Sequence, residues 1–235
     1  MSNNIASIID VLDDTQRMHA QVKAQGLTAS IRGLQAWQTQ RLLTTHDDLW
    51  RQKRFKPAMQ FFIDEIYGPK DFSSRDVEIA SVVPKMVKVL PDKAVAALYE
   101  ALRLNSLSLE LDIAMVGALK GRSIDRDSYL CAYQQCDNQD KRTEQIQLIE
   151  TLGLRLAQVV QIRGVALILK LARKPARLAG VESLHNVLER GFHSFKELGN
   201  VHDFIDPIID RERTLMTGMF SLPPEADNPL PEVVT

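Results

Sequence analysis

Three polar side chains interrupt the apolar face of one long helical segment. Asn105, Ser108 and Asp112 lie at helical spacing among the leucines between residues 98 and 119, which places Asn105 and Asp112 on one apolar stripe with Ser108 beside it. A buried carboxylate needs a partner, so Asp112 either meets an Arg, a Lys or a helix N-terminus from a neighbouring element, or lines a polar pocket with Asn105 and Ser108. Helical bundles hold ligands in such core pockets.

A second polar group lies in the segment from Phe61 to Asp76. Its carboxylates could bind a metal ion or act as a general base: Asp64, Glu65, Asp71 and Asp76. Capping and packing explain the same residues as a helix–loop–helix corner. Gly68-Pro69 would end one helix with a left-handed Gly, and Ser73 with Asp76 has the spacing of a capping box for the next. Tyr67 and Arg75 could then assist a ligand site on the long helix.

One helical segment carries two histidines and two glutamates on one face. Glu182, His185, Glu189 and His193 include the Glu-x-x-His spacing of di-iron bundles. The helical wheel places this set beside the apolar face, next to other charged residues, and the chain has no second such pair. The sequence therefore predicts a solvent-exposed face and no metal, with these four residues as the best candidates for one.

The range 155–177 is basic. If one helix ran through it, five cations would share an edge: Arg155, Arg163, Lys170, Arg173 and Lys174. The pattern fits the charged edge of a core helix, to which Glu212 could pair. The alternative is an anion or nucleic-acid site, against which the lack of interleaved aromatics argues.

Composition predicts the scaffold that holds these residues. The chain has 235 residues, 45% apolar and 25% charged, with only 11 Gly, and helical periodicity is present almost throughout. We predict an all-α protein: a single bundle of about nine or ten helices over residues 1–221, followed by a Pro-rich, disordered tail over residues 222–235.

The same composition predicts a cytoplasmic protein. The net charge is −1, so no overall field favours nucleic acid or anionic membrane. We expect neither a signal peptide nor a membrane span. Cys131 and Cys136 point away from each other on one helix, which argues against a disulfide and for a reducing compartment.

The segment Phe61–Asp76 also resembles the "FFLEELYGP-x-DF-x-x-RD" motif of an uncharacterised group of bacterial helical proteins. The resemblance extends through Pro84, Pro91 and the region Glu189–Phe192. It implies family membership and brings no activity with it.

Three classes of function remain open. The first is a binding or regulatory module with a protein or small-molecule partner, with a homodimer left open. The second is a bundle enzyme or small-molecule binder with a core site around Asp112. The third is an anion or nucleic-acid binder. No cofactor is predicted, since zinc spacing, a phosphate-binding loop and a catalytic triad are all missing from the sequence.

Overall fold

Ten α-helices make up the described part of the computed structural model, which covers residues 2–68, 79–80, 82, 91–222 and 227–233. They are α1 (Ser2–Ala24), α2 (Thr28–Thr45), α3 (Asp47–Trp50), α4 (Lys56–Phe62), α5 (Asp92–Leu119), α6 (Arg126–Cys136), α7 (Gln139–Val159), α8 (Val165–Leu178), α9 (Glu182–Lys196) and α10 (His202–Ser221). These ranges contain no strand, so the all-α prediction of about ten helices is confirmed.

The long helix α5 is the centre of the molecule. It packs against α1, α2, α6 and α7, because its leucines point in most directions and leave few polar positions for solvent. Leu104, Leu107 and Leu111 are fully buried. The helix ends where Lys120 and Gly121 adopt left-handed backbone angles, with φ of 50° and 76°. The polar residues of its middle turns are therefore held inside the protein.

The chain returns along α5 through two short connections. Asp125 caps α6 by accepting from the backbone N–H groups of Asp127 and Ser128, and Ser128 completes the capping box. Asp137 turns the chain in a left-handed conformation before α7 begins. These turns set α7 against α5, and α10 closes the bundle by packing on α6 and α7.

The end of α4 differs from the prediction. The chain continues as a π-helical turn, Ile63–Tyr67, and Gly68 is extended (φ −67°, ψ 160°) and not left-handed. Glycine is still required there, because a Cβ would lie 2.5 Å from the Ile63 carbonyl oxygen. The predicted capping box of Ser73 and Asp76, together with Asp71 and Pro84, lies outside the described residues.

The basic range is not one helix. Helix α7 ends at Val159 and α8 begins at Val165, with Gly164 at φ 94° between them. Arg155 and the cations of α8 therefore belong to two different helices and do not form one helical edge. No helix in the described ranges is long and apolar enough to cross a membrane.

The prediction of a disordered tail is wrong for residues 227–233. Leu230 is only 2% exposed and belongs to the main core. The Asn228 side chain donates to the Arg126 carbonyl at 2.9 Å and to Asp127 Oδ1 at 3.0 Å. Prolines do not prevent this segment from packing, because its polar groups bond to the first turn of α6.

Candidate functional site

A cavity of about 110 Å³, lined by both polar and apolar side chains, lies in the core of the bundle. Its polar lining comes mainly from α2, α5, α7 and α10, and we call it the core cavity. The polar side chains that line it are His19, Gln35, Gln38, Thr39, Arg41, His46, Asn105, Ser108, Asp112, Tyr129, Arg142, Gln145 and Glu212. Asn105, Ser108 and Asp112, which the sequence places on α5, are thus brought together in one cavity.

Asp112 is held by two amides. Gln35 Nε2 donates to Asp112 Oδ2 at 3.0 Å, and Gln38 Nε2 donates to Oδ1 at 3.2 Å. No Arg or Lys of the described residues forms an ion pair with it, which differs from the partner expected for a buried carboxylate. Burial raises the pKa of Asp112 to about 6, against the lowering effects of the Gln35 bond, the charge of Arg142 and the Gln38 bond.

Arg142 is a buried cation with incomplete hydrogen bonding. It is 6% exposed and its guanidinium lies 4.7 Å from the centre of the Tyr133 ring. Nη1 donates to Gln145 Oε1 at 3.3 Å, whereas Nε and Nη2 have no hydrogen-bond partner among the described residues. Buried guanidinium N–H groups normally find an acceptor, so this arrangement has unused capacity to bind an anion.

Neutral groups connect Arg142 to α5. Gln145 Nε2 donates to Ser108 Oγ at 2.9 Å, so a chain of hydrogen bonds runs from Arg142 through Gln145 to Ser108. Asn105, one turn earlier on α5, is 8% exposed. The cavity therefore offers a cation, a carboxylate and neutral donors and acceptors within one small volume.

A second buried cluster lines the same cavity. Arg41 Nη1 and His46 Nε2 both donate to Glu212 Oε1, at 2.5 and 2.9 Å, and His46 is fully buried. Burial alone would raise the pKa of Glu212, but the charge of Arg41 and the hydrogen bond of His46 outweigh it and lower the pKa to about 2. The pairing of Glu212 with the basic range, suggested by charge sign, is wrong.

The two other predicted assistants cannot be assigned to this cavity. Tyr67 ends the π-helical turn, but its side chain lies outside what the structure describes, as does all of Arg75. Of the neighbouring carboxylates, Asp64 and Glu65 both pair with Arg190 of α9. This tie between the π-helical turn and α9 has a structural explanation and needs no ligand.

The histidine face is only partly exposed. His185 is 4% exposed and its Nε2 lies 2.8 Å from the Leu169 carbonyl oxygen, so the prediction of a solvent-exposed position is wrong for this residue. Glu189 pairs with Arg173, while Glu182 and His193 are exposed. In the part of the chain that the structure describes, no three His, Cys, Asp or Glu side chains form a cluster that could hold a metal.

Two of the five predicted anion-binding cations have carboxylate partners. Arg155 Nε donates to Glu100 Oε1 at 2.5 Å, between α7 and α5, and Arg173 pairs with Glu189. Arg163, Lys170 and Lys174 are exposed. The predicted five-residue edge is therefore divided between structural ion pairs and surface charges.

Sequence reasoning missed most of the cavity lining. Gln35 and Gln38 lie in a segment rich in Gln and Thr, where nothing distinguishes them from surface residues. Arg142 follows Asp140 and Lys141, and His46 lies in a stretch that resembles a helix cap. The available signal was the spacing of Gln35, Gln38 and Leu42 on one helical face.

Residues 17–226 match the model of a family described as a domain of unknown function (DUF8198). The match covers most of the chain, which therefore belongs to this family, and it includes every residue of the core cavity. No curated protein and no solved structure matches the chain. The family carries no assigned activity, in agreement with what the resemblance of Phe61–Asp76 implies.

Proposed function

We propose that this member of the family is a binding protein for a small polar molecule, which it holds in the core cavity. The observation that carries the proposal is Arg142, a buried guanidinium with two nitrogens unpaired among the described residues. Leaving such a cation without an acceptor costs free energy, and an anionic ligand group would supply one.

Asp112 supplies a negative charge and hydrogen-bond acceptors to the cavity. Among the described residues, its carboxylate oxygens accept from the two glutamine amides alone, and a carboxylate has about four lone-pair sites. A ligand N–H or O–H can therefore bond to Asp112 while a ligand carboxylate binds Arg142. Ser108 and Gln145 already form a hydrogen-bonded chain with Arg142 and add neutral contacts.

The volume limits the size of the ligand. A cavity of about 110 Å³ is smaller than one that holds benzene, which is about 150 Å³, and so accommodates roughly four to six non-hydrogen atoms. A small amino carboxylate such as glycine has this size and carries both groups. Acetate lacks the donor and methylamine lacks the anion, which makes the three compounds a matched series.

Thermal unfolding of the full chain with these three probes tests the proposal. Glycine should raise the Tm more than acetate or methylamine, because only glycine satisfies both ends of the cavity. At a 100-fold excess over Kd the stabilisation is about 2.7 kcal/mol, or roughly 5–10 °C for a chain of this length.

Two variants make the thermal test specific. Arg142→Gln should lose the response to glycine, whereas Arg103→Gln should keep it. Arg103 is a suitable control because it joins the same two helices, α5 and α7, through a half-exposed pair with Glu144. Equal responses in the two variants, or no response of the wild type to any probe, would count against the proposal.

Catalysis in the same cavity is the second candidate. Asp112, with a pKa of about 6, is suited to take up a proton near neutral pH, and His46 Nδ1 is buried without a hydrogen-bond partner in the described ranges. Proton exchange at a carbon next to a ketone is the simplest reaction of this kind, because the carbonyl group acidifies that C–H bond. Deuterium uptake from heavy water at the methyl group of pyruvate, lost in Asp112→Asn, would support it.

The proposal includes a bacterial, cytoplasmic setting. Both cysteines are free, and Cys131 is exposed, which suits a reducing compartment. A role in regulation would follow if ligand binding changed the affinity for a protein partner.

A further inference from the structure

Helix α8 presents a row of leucines to solvent. Leu167, Leu171 and Leu178 are 57%, 66% and 86% exposed, and Ile168 is 38% exposed. At 100° per residue the three leucines fall within about 40° of one another. They form one continuous stripe, which we call the leucine stripe.

The opposite side of α8 attaches it to the protein. Val165 and Leu169 are buried and pack with Phe192 of α9, and the Leu169 carbonyl oxygen lies 2.8 Å from Nε2 of His185, also on α9. These anchors lie about 160–200° around the helix from Leu167. The leucine stripe therefore points away from the body of the bundle.

Cations border the leucine stripe. Lys170, Lys174 and Arg177 are exposed and lie within about 80° of Leu167 on one side of α8. Arg163 precedes the helix. None of these four side chains forms an ion pair within the ranges that the structure covers. Residues 151–181 contain no acid, so no carboxylate within this stretch offsets their charge.

We infer that α8 is a docking surface for an anionic phospholipid bilayer. A helix with an outward apolar stripe bordered by Lys and Arg lies in the plane of a membrane interface, with its leucines among the acyl chains and its cations at the headgroups. The exposed cations beside the stripe are complementary in charge to anionic headgroups, and this complementarity favours a bilayer as the occupant. The net charge of −1 hides this local field, which is why composition alone predicts no membrane.

Vesicle co-sedimentation of the full chain tests this inference. The protein should bind vesicles of phosphatidylcholine mixed with phosphatidylglycerol, and bind vesicles of phosphatidylcholine alone at least about tenfold more weakly, because the three cations beside the stripe would meet the headgroups. Added salt should reduce the binding. No binding to the anionic vesicles, or equal binding to both kinds, overturns the inference.

Variants separate the two contributions. Leu171→Gln should weaken binding at least about tenfold, because it removes one apolar side chain that would be buried among the acyl chains. The double variant Lys170→Gln with Lys174→Gln should weaken binding similarly. Lys141→Gln is the control, since Lys141 pairs with Glu110 elsewhere on the surface, and should bind like the wild type. Both positions of the double variant are exposed, so the substitutions should not disturb the fold. Circular dichroism checks this, since the helicity should equal that of the wild type.

Other occupants of the leucine stripe give different results. If a second copy covers it, light scattering shows a dimer that Leu171→Gln dissociates, and the lipid inference is overturned. Vesicle binding by Leu171→Gln at the wild-type level would also overturn the lipid inference, because the leucines would then not contribute to binding.

Discussion

Two carboxylates of the core cavity, Asp112 and Glu212, are shifted in opposite directions because their partners differ. Asp112 is held by neutral amides, which do not compensate for burial, and its pKa rises to about 6. Glu212 accepts from Arg41 and His46, and its pKa falls to about 2. The charged form of Asp112 is therefore destabilised by burial, whereas that of Glu212 is stabilised by its partners. A ligand that donates a hydrogen bond or a positive charge to Asp112 would offset this destabilisation.

Asp112→Asn should change how stability depends on pH. The folded-state pKa of Asp112, about 6, is above its ordinary value of 3.8, so the native state binds more protons than the unfolded state between those values. Asp112 therefore lowers stability as pH rises, and the loss between pH 5 and pH 7 is about 1 kcal/mol. Urea unfolding at several pH values should show this slope in the wild type and not in the variant; parallel curves would contradict the assignment.

Glu212→Gln should destabilise the protein strongly. It leaves Arg41, which is 13% exposed, without its counter-charge in the core, at a cost of about 3 kcal/mol or more. Because the folded pKa is depressed, the stabilisation by Glu212 is present above its ordinary pKa of 4.5 and is lost as pH falls toward 2. Denaturant titration at pH 7 measures the loss.

Glu150→Gln is the matched control for Glu212→Gln. Glu150 pairs with Arg213, also on α10, but the two side chains are 36% and 47% exposed. Exposed pairs contribute below about 1 kcal/mol. A similar loss of unfolding free energy in both variants would mean that burial does not strengthen the contribution of the Glu212 cluster.

At the residue scale the sequence predicts faces better than partners. Helical periodicity places Asn105 and Asp112 on the core side of α5, and they are there. The amides that hold Asp112 are 77 and 74 residues away in the chain, and polar neighbours make Arg142 look like a surface residue. Such pairings depend on how helices cross, which one-dimensional spacing does not contain.

Among the elements, close approach of α9 to α4 depends on Gly191. A Cβ at this position would lie 2.8 and 2.9 Å from two ring carbons of Phe61. Gly191→Ala should therefore destabilise the protein by about 1 kcal/mol, since overpacking costs about 1–3 kcal/mol and improved helix propensity returns less than about 1 kcal/mol. Thermal or denaturant unfolding measures the difference.

Gly117→Ala provides the control on α5. Nothing lies within 4 Å of a Cβ built there, so only the propensity gain remains, and this variant should be stabilised by about 0.5–1 kcal/mol. Stabilisation of both variants would show that α9 and α4 are not tightly packed.

Element boundaries were predictable where capping chemistry is local. Gly26, Gly121 and Gly199 follow α1, α5 and α9 with positive φ, as glycine-rich helix ends suggest. The π-helical turn after α4 was not predictable, because such turns are rare and no residue type in the segment marks one. The exposure of the α8 leucines was also not predictable. Helical periodicity shows that apolar residues share a face, but it does not show whether another element covers that face.

On the scale of the whole molecule, the C-terminal segment completes the core. Leu230 is buried against it, and Arg126 pairs with Glu232. Leu230→Ala should lower the free energy of unfolding by about 2 kcal/mol or more, the usual cost of truncating a buried leucine. Glu232→Gln, at an 82% exposed position, should change it by less than about 1 kcal/mol. Equal effects would mean that the segment is detached in solution.

Composition settled the class of the molecule but not its chemistry. Scarce glycine and pervasive helical spacing were sufficient for an all-α fold of about ten helices. The core cavity is a product of the assembled bundle, because its lining comes from residues between His19 and Glu212. Net charge, averaged over the chain, likewise concealed the basic surface of α8.

The most direct test of ligand binding follows the side-chain carboxyl carbon of Asp112 by ¹³C NMR while glycine is added to the full chain. The core cavity predicts a saturable change in this resonance, because the ligand ammonium group donates to the carboxylate, and no such change in Arg142→Gln, which cannot anchor the other end. An Asp112 resonance that stays constant through the titration, or that changes identically in the wild type and Arg142→Gln, would contradict a ligand site in the core cavity.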